Sequence, residues 1–302
     1  MTTTHNTSVR PEVALARVEA NGRTQWAVRR GDEYSPLGMT LSELLRLPPA
    51  DARRTVEEAT GGGLRPATVL SPVDPGQEVW AAGVTYLRSR DGRIEESTDG
   101  TPYDRVYEAE RPELFFKSTG ARVIGPGGQV GVRADSAWNV PEPELGIVLD
   151  SGGGLFGYVP GNDVSSRSIE GENLLYLPQA KVYTAACALG PEVVPAWLAR
   201  APFAISLEVR RDGELRFGGT ASTEQLARRL DDLANWLYSC LDFPDGVIML
   251  TGTGIVPEAD FTLLAGDEVA VDIAGVGRLE NGVDLVGRDI LAGADRKGGQ
   301  DE

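Results

Sequence analysis

Histidine is almost absent from this chain of 302 residues, and the single one, His5, stands in a polar N-terminal tail. A mechanism that needs a histidine general base, a Ser-His or Cys-His pair, or a histidine-ligated zinc is therefore not expected. Proton transfer must be carried by Glu, Asp, Lys, Tyr or water.

Cysteine and long apolar runs are also scarce. Cys187 and Cys240 are too few for a disulfide scaffold, and their apolar surroundings predict buried, reduced thiols. No stretch approaches the 18 continuous apolar residues of a membrane-spanning helix. The chain starts MTTTHNTSVRPE, without the apolar core of a signal peptide, which favours a cytoplasmic protein.

Basic residues are outnumbered, with 29 Lys and Arg against 45 Asp and Glu and a net charge of −16. Such a charge argues against a nucleic-acid partner and against an anionic membrane surface. It does not exclude a small anionic substrate, because local basic groups or a metal ion reverse the field inside a cleft.

Residues 1–70 are predicted to form a small N-terminal α/β domain. Two β-like runs, residues 13–18 and 24–28, flank Asn21-Gly22, which is a strong hairpin signal. Thr40 then caps an amphipathic helix that ends before a proline pair. A second, weaker helix is predicted over residues 51–60.

The rest of the chain reads as a β-rich α+β domain, because short β-like runs separated by Gly and Pro dominate it. A capping-box pattern at Ser222 and leucines at helical spacing predict one helix, from residue 222 to residue 240. The polar segment 87–105 suits a mobile loop or lid. Residues 293–302 suggest a disordered tail. The predicted strands are 78–83, 114–117, 145–149, 203–209, 247–250 and 268–273.

Glu142 and Glu144 alternate with prolines in the sequence Pro-Glu-Pro-Glu, just before an apolar run. Proline and the residue before it favour extended backbone, in which residues i and i+2 project to the same side. With Asp163, they offer three carboxylates and no nitrogen or sulfur ligand, a set that suits Mg²⁺ or Mn²⁺. The alternative is an ordinary solvated strand edge.

Several motifs in this order resemble the fumarylacetoacetate hydrolase family over about residues 70–275. They are VWAAGVTY, PELFFK, PEPEL, GNDVSSR, QAKVY and TGT. The resemblance implies a mixed β-roll catalytic domain over residues 71–292, with a divalent metal held by Glu142, Glu144 and Asp163. It also implies homodimers or homotetramers.

Within the family, the runs YDRVYEAERPE and ENLLYLPQAK resemble the members that dehydrate 2-keto-3-deoxy sugar acids. Hydrolytic members use a His-Glu pair, which this chain lacks, so the resemblance favours dehydration over C–C bond hydrolysis. One departure concerns Ser168, which stands where the family usually has Asp, and it leaves the identity of the substrate open.

The resemblance also implies roles for further residues. Glu113 is the candidate general base, although a salt bridge to a nearby Arg is the alternative. Lys117 and Lys181 would stabilise enolate and carboxylate charge, unless they are solvated surface charges. The residues expected to bind substrate are Tyr86, Arg88, Arg167 and Thr253; for the first two, an ordinary core aromatic and a surface Arg are the alternatives.

The expected function is a Mg²⁺-dependent dehydratase of a 2-keto-3-deoxy sugar acid, such as 2-keto-3-deoxy-D-arabinonate, that forms 2,5-dioxopentanoate. In this chemistry the metal ion stabilises the enolate left when a C3 proton is removed. Two alternatives stay open. One is a family hydrolase, tautomerase or decarboxylase of another 2-oxo or 2,4-dioxo acid, and the other is an inert metal-binding scaffold.

Overall fold

The computed structural model describes residues 10–96 and 101–288. Strands hold 40% of the residues and helices 21%, which confirms the predicted β-rich α+β class. The strands of the described ranges are β1 (Val13–Ala20), β2 (Arg23–Arg30), β3 (Glu33–Pro36), β4 (Thr68–Val69), β5 (Glu78–Gly83), β6 (Glu113–Thr119), β7 (Gln129–Arg133), β8 (Asn139–Val140), β9 (Pro143–Leu149), β10 (Leu155–Asp163), β11 (Ser165–Ser166), β12 (Cys187–Leu189), β13 (Val194–Pro195), β14 (Ala204–Arg211), β15 (Glu214–Ser222), β16 (Val247–Leu250), β17 (Glu268–Ile273) and β18 (Gly277–Val286).

The helices are short and lie around these strands. No helix among the described residues is long and apolar enough to cross a bilayer. The α-helices of the described residues are α1 (Leu41–Leu45), α2 (Pro49–Glu58), α3 (Leu87–Glu96), α4 (Thr101–Glu108), α5 (Arg167–Glu172), α6 (Leu177–Lys181) and α7 (Leu230–Tyr238).

The N-terminal sheet has the strand order β3-β2-β1-β4. The predicted hairpin between β1 and β2 is present, and its turn residues Asn21 and Gly22 have φ values of 53° and 71°. Positive φ at both turn positions matches the twist of the flanking strands, which explains the Asn-Gly pair. Thr40 caps α1 in a full capping box with Glu43. The helix predicted over 51–60 is α2, which starts earlier because Pro49 fits a first helical turn.

The N-terminal sheet shares a hydrophobic core with the strands that follow, and a buried ion pair joins them. Leu15 and Val28 lie in the same core cluster as residues of β9 and β16. Arg29 is fully buried, and its Nε and Nη2 donate to the two carboxylate oxygens of Glu192 at 2.6 and 2.7 Å. The domain boundary expected near residue 70 stays a prediction.

The largest sheet of the described residues has the strand order β12-β10-β9-β16-β5-β6, and β13 also pairs with β10. Its neighbouring strands are antiparallel except β16 and β5. A second sheet has the order β15-β14-β17-β18-β7. The strands curl into a half-barrel, in agreement with the predicted mixed β-roll. One core cluster joins the two sheets through residues such as Ile147, Val209 and Val271.

The single helix predicted over residues 222–240 is wrong in its first half. The capping box of Ser222 and Gln225 is present, but it caps only a 3-10 turn, and α7 begins at Leu230. Between the two, Leu226 forms a β-bridge with Tyr86, and Ala227 N–H donates to the carbonyl of Thr85 at 2.9 Å. This tertiary pairing takes the backbone groups that a continuous helix would use.

Two further expectations need correction. Segment 87–105 is largely helical rather than a loop, since it contains α3 and most of α4. Cys187 is buried as predicted, but Cys240 is exposed, because α7 ends at Tyr238 and its apolar stripe does not reach the thiol. His5 and the predicted tail 293–302 lie outside the described residues.

The buried pair of Arg29 and Glu192 predicts a large effect on stability. Arg29→Ala leaves a buried carboxylate without its main partner and should lower the free energy of unfolding by about 3–5 kcal/mol. Replacing both residues with Met should recover most of this loss. Arg53→Ala, which breaks an exposed pair with Glu57, should cost less than about 1 kcal/mol. Urea unfolding measures the stability of all three variants. Equal losses of stability in Arg29→Ala and Arg53→Ala would contradict the stabilising role given to the pair of Arg29 and Glu192.

Candidate metal centre and active site

The three predicted metal ligands meet at one end of the β9–β10 hairpin. Glu144 lies opposite Gly161 in the ladder, and Asp163 N–H donates to the carbonyl of Glu142 at 3.0 Å. One carboxylate oxygen from each of the three residues lies within 4.8 Å of the others, and all three residues are at most 3% exposed. The alternative of a solvated strand edge is therefore wrong.

Hydrogen bonds position the backbone of Glu142 and the carboxylate of Glu144. Asn162, which the sequence analysis did not single out, is fully buried, and its Oδ1 accepts a hydrogen bond from Glu142 N–H at 3.1 Å. Glu144 Oε2 accepts a hydrogen bond from Gly252 N–H at 2.6 Å. Gly252 has a φ of 90°, and a Cβ there would lie 2.0 Å from Thr85 Oγ1, so the position requires glycine.

Both predicted lysines are buried beside the triad rather than solvated. Lys181 Nζ donates to Glu142 Oε2 at 2.8 Å, to Asp163 Oδ2 at 3.0 Å and to Ser165 Oγ at 2.6 Å. Lys117 Nζ pairs with Asp163 Oδ1 and donates to the carbonyls of Val164 and Lys181 at 3.1 and 2.6 Å. The two ammonium groups therefore hold Asp163 from both sides.

The Ser-Ser-Arg-Ser motif places a third cation at the triad. Arg167 is 2% exposed, and its Nη2 lies 3.0 Å from Glu142 Oε1. Ser168 Oγ, at the position where the family usually has Asp, lies 2.8 Å from Ser136 Oγ, to which Ser166 Oγ also donates at 2.7 Å. A neutral hydroxyl therefore stands next to Arg167 in the sequence, and Arg167 pairs with Glu142.

Glu144 has no salt bridge to a cationic side chain of the described residues, unlike Glu142 and Asp163. Burial raises the pKa of Glu144 well above its ordinary value, and the nearby charges of Asp163 and Glu142 raise it further. A divalent cation would offset this repulsion, and carboxylate oxygens are the ligands that Mg²⁺ prefers. The residues present thus fit a magnesium ion.

Glu113, the candidate base, lies at the start of β6 and lines the same cavity as the triad. A Cβ on Gly83, its partner in the ladder with β5, would lie 2.0 Å from Glu113 Oε2. The glycine therefore makes room for the carboxylate. The cavity volume is about 10 Å³, about what one water molecule needs, so side chains must move to admit a five-carbon acid.

The predicted substrate-binding residues lie at different distances from this cavity. Thr253 is buried and lines it. Tyr86 is 2% exposed, and its hydroxyl has no hydrogen-bond partner within residues 10–96 and 101–288. Burial together with the charge of Glu144 raises its pKa. Arg88 is partly exposed and pairs with Glu258 at 3.2 Å, and the residues that line the cavity do not include it.

Sequence reasoning missed Glu170, which also lines the cavity and is only 4% exposed. It lies on α5 three residues after Arg167, and these two are the buried residues of that helix. The available signal was the spacing: residues i and i+3 share a helix face, so a buried Arg167 implied a buried Glu170.

Comparison with known proteins agrees with this geometry. Residues 79–284 match the model of the fumarylacetoacetate (FAA) hydrolase C-terminal domain. The chain is 49% identical over 224 residues to a probable 2-keto-3-deoxyxylonate dehydratase of Haloferax volcanii, covering 74% of this chain and 76% of that one. It is 41% identical over 217 residues to the 2-dehydro-3-deoxy-D-arabinonate dehydratase of Saccharolobus solfataricus, covering 70% and 72%.

A solved structure of 2-keto-3-deoxy-D-arabinonate dehydratase complexed with magnesium and 2,5-dioxopentanoate superposes with a TM-score of 0.77 and 32% identity. The match covers 90% of this chain and 99% of that one. The chain therefore belongs to the fumarylacetoacetate hydrolase family of enzymes.

The raised pKa of Glu144 predicts how metal and pH act together on stability. The folded, metal-free protein binds this proton more tightly than the unfolded chain does. The free energy of unfolding without metal should therefore fall as the pH rises from the pKa of Glu144 in the unfolded chain through its raised pKa in the folded protein. Saturating Mg²⁺ should raise the melting temperature more at about pH 8 than at about pH 5, because the proton no longer competes.

The matched variants for this test are Glu144→Gln and Glu214→Gln. The first should melt higher than the wild type without metal at alkaline pH and gain little from Mg²⁺, because it removes both the repulsion and a ligand. The second changes an exposed carboxylate and should behave like the wild type. Mg²⁺ stabilisation that is the same at every pH would contradict the role given to Glu144.

Proposed function

We propose that the chain is a Mg²⁺-dependent dehydratase that converts a 2-keto-3-deoxy sugar acid, such as 2-keto-3-deoxy-D-arabinonate, into 2,5-dioxopentanoate and water. The observation that carries the proposal is the buried triad of Glu142, Glu144 and Asp163, which has two buried lysines beside it and shares its cavity with a fourth carboxylate, Glu113. The names of the two similar dehydratases support the substrate class.

The charges of the site suit an enolate of a 2-oxo acid. The three carboxylates of the triad are matched by the cations of Lys117, Lys181 and Arg167, so these six groups sum to about zero, and Glu113 adds one negative charge. When bound, Mg²⁺ supplies a Lewis acid for the 2-oxo group. The carboxylate of the substrate then enters a site with about one uncompensated positive charge, and the enolate charge forms there as Glu113 is neutralised by the C3 proton, in surroundings that strengthen the attraction.

The protein side chains divide the remaining tasks. Glu113 takes a proton from C3, which is acidic because it lies next to the ketone. Lys181 stabilises the negative charge that develops on the enolate. Lys117 holds Asp163 and stabilises the carboxylate of the substrate. Thr253 binds the carboxylate end of the substrate. Arg167 orients Glu142 and contributes positive charge to the substrate-binding side.

The substrate-binding roles proposed for Tyr86 and Arg88 rest on different observations. The buried, unpartnered hydroxyl of Tyr86 and its electrostatic coupling to Glu144 favour a place close to bound substrate. Arg88 pairs with Glu258 and would have to reorient its side chain to reach the substrate. Ser89 of α3 already lines the cavity, so the helix is placed to respond to substrate.

Hydrolysis, tautomerisation or decarboxylation of another 2-oxo acid is the second candidate within the family. The site without histidine disfavours hydrolysis, because hydrolytic members of the family use a His-Glu pair to activate water. An inert scaffold is disfavoured by the burial of Lys181 and Lys117 beside the triad, because burying charged side chains is costly and such groups cluster at functional sites.

We also propose a cytoplasmic homodimer or homotetramer, as expected for the family. Leu175 is 83% exposed, and its neighbours Leu174 and Tyr176 are also exposed. A contact between subunits would bury this apolar turn.

The first test offers the purified enzyme a set of 2-oxo and 3-deoxy-2-oxo sugar acids with Mg²⁺, and follows the products by mass. Loss of about 18 mass units identifies dehydration, whereas smaller fragments identify C–C cleavage. A chelator should abolish the reaction, and Mg²⁺ or Mn²⁺ should restore it. Full activity without metal, or cleavage instead of water loss, would refute the proposal.

The second test separates Glu113 from Lys181. Glu113→Gln should bind metal and substrate but lower kcat by about 10²- to 10⁴-fold, and it should abolish deuterium exchange at C3 in heavy water. Lys181→Met should impair both kcat and substrate affinity, because it removes a charge that acts in both states. Exchange at the wild-type rate in Glu113→Gln would show that Glu113 is structural.

A further inference from the structure

Helix α5 presents two charged residues to the interior. Its buried residues are Arg167 and Glu170, whereas Glu172, on the same helix, is exposed. Burying charged side chains is costly, and both of these lie at the metal-binding site. Arg167 pairs with Glu142 of the triad, whereas Glu170 has no part in the proton transfer assigned to Glu113.

Glu170 lines the cavity that also contains Glu113 and the metal-binding triad. The two carboxylates reach this cavity from different elements, Glu113 from β6 and Glu170 from α5. The proposed dehydration needs two proton-transfer sites on the substrate: one at C3, and one at the hydroxyl on C4, which leaves far more readily as water than as hydroxide.

We propose that Glu170 is the second catalytic carboxyl, which protonates the leaving 4-hydroxyl and then takes a proton from C5. This inference rests on the proposed function. Glu113 removes one C3 proton. The enolate electrons form the C3–C4 double bond as the C4–O bond breaks, and the proton of Glu170 joins the departing oxygen to make water.

The second half of the reaction restores both carboxyls. Glu170, now a carboxylate, takes a proton from C5, and the resulting dienolate accepts the proton of Glu113 at C3. The product is the enol of an aldehyde, with a C4–C5 double bond, which becomes 2,5-dioxopentanoate when C4 gains a proton and the C5 hydroxyl loses one. One water is lost overall, no oxidant or reductant is needed, and each glutamate returns to its starting state.

Other buried acids and bases are less suited to this role. Lys181 Nζ already donates to Glu142, Asp163 and Ser165. Lys117 Nζ is held by Asp163 and two backbone carbonyls.

Tyr86 is a poor proton donor for the same step, because burial raises the pKa of its phenol. The carboxyls that line the cavity outside the metal triad are Glu113 and Glu170, and Glu113 already takes the C3 proton.

The test uses Glu170→Gln, which keeps the shape and removes the proton, with Glu172→Gln on the same helix as the control. With the natural 4-hydroxy acid, Glu170→Gln should dehydrate about 10²- to 10⁴-fold more slowly and still exchange C3 hydrogen with heavy water at close to the wild-type rate. Glu172→Gln should match the wild type in both. Melting temperature and Mg²⁺ binding, measured by calorimetry, should be unchanged in both variants.

A substrate analogue with fluoride in place of the 4-hydroxyl makes the test decisive, because fluoride leaves without needing a proton. Fluoride release by Glu170→Gln should lie within a few-fold of the wild type, while Glu113→Gln stays inactive on both substrates. Equal loss on both substrates, loss of C3 exchange, or full dehydration activity in Glu170→Gln would overturn the inference. A wild-type enzyme that dehydrates none of the 2-oxo acids would instead overturn the proposed function, and this inference with it.

Discussion

The mutual repulsion of three buried carboxylates is the constraint on which the site depends. Glu142, Glu144 and Asp163 are forced together by the β9–β10 ladder, and each is stable there only with positive charge nearby. Lys117, Lys181 and Arg167 balance Glu142 and Asp163. Glu144 is left to a single backbone N–H and to the divalent cation that the geometry fits. Metal binding, charge balance and enolate stabilisation are thus aspects of one arrangement.

The fold supplies this arrangement by placing the ligands in the interior of a large sheet. β9 and β10 are flanked by β16 and β12, so the hairpin cannot splay to separate its charges. Two glycines make the rest of the site fit: Gly83 makes room for Glu113, and Gly252 turns its N–H toward Glu144. The shared core and the buried ion pair of Arg29 with Glu192 join the N-terminal sheet to the same body.

Local rules predicted many elements because nearby residues decide them. The Asn-Gly hairpin and the Thr40 cap are present, and strands β5, β16 and β17 have the predicted bounds. The same rules failed where distant contacts took over. The helix predicted from residue 222 is interrupted because Leu226 pairs with Tyr86, and Cys240 is exposed because α7 stops short of it.

The sequence by itself determined the ligand chemistry: alternating prolines hold Glu142 and Glu144 extended on one side, and the lack of histidine leaves carboxylates and lysines for proton transfer. Only the tertiary structure decided which charges meet. Glu113 and Glu170 are 57 residues apart in the sequence but line the same cavity, and Arg88 pairs with Glu258. The physical reason is that a charge pattern is local, whereas the position of a charge in a cavity depends on strand order, helix orientation and the glycines that allow close approach.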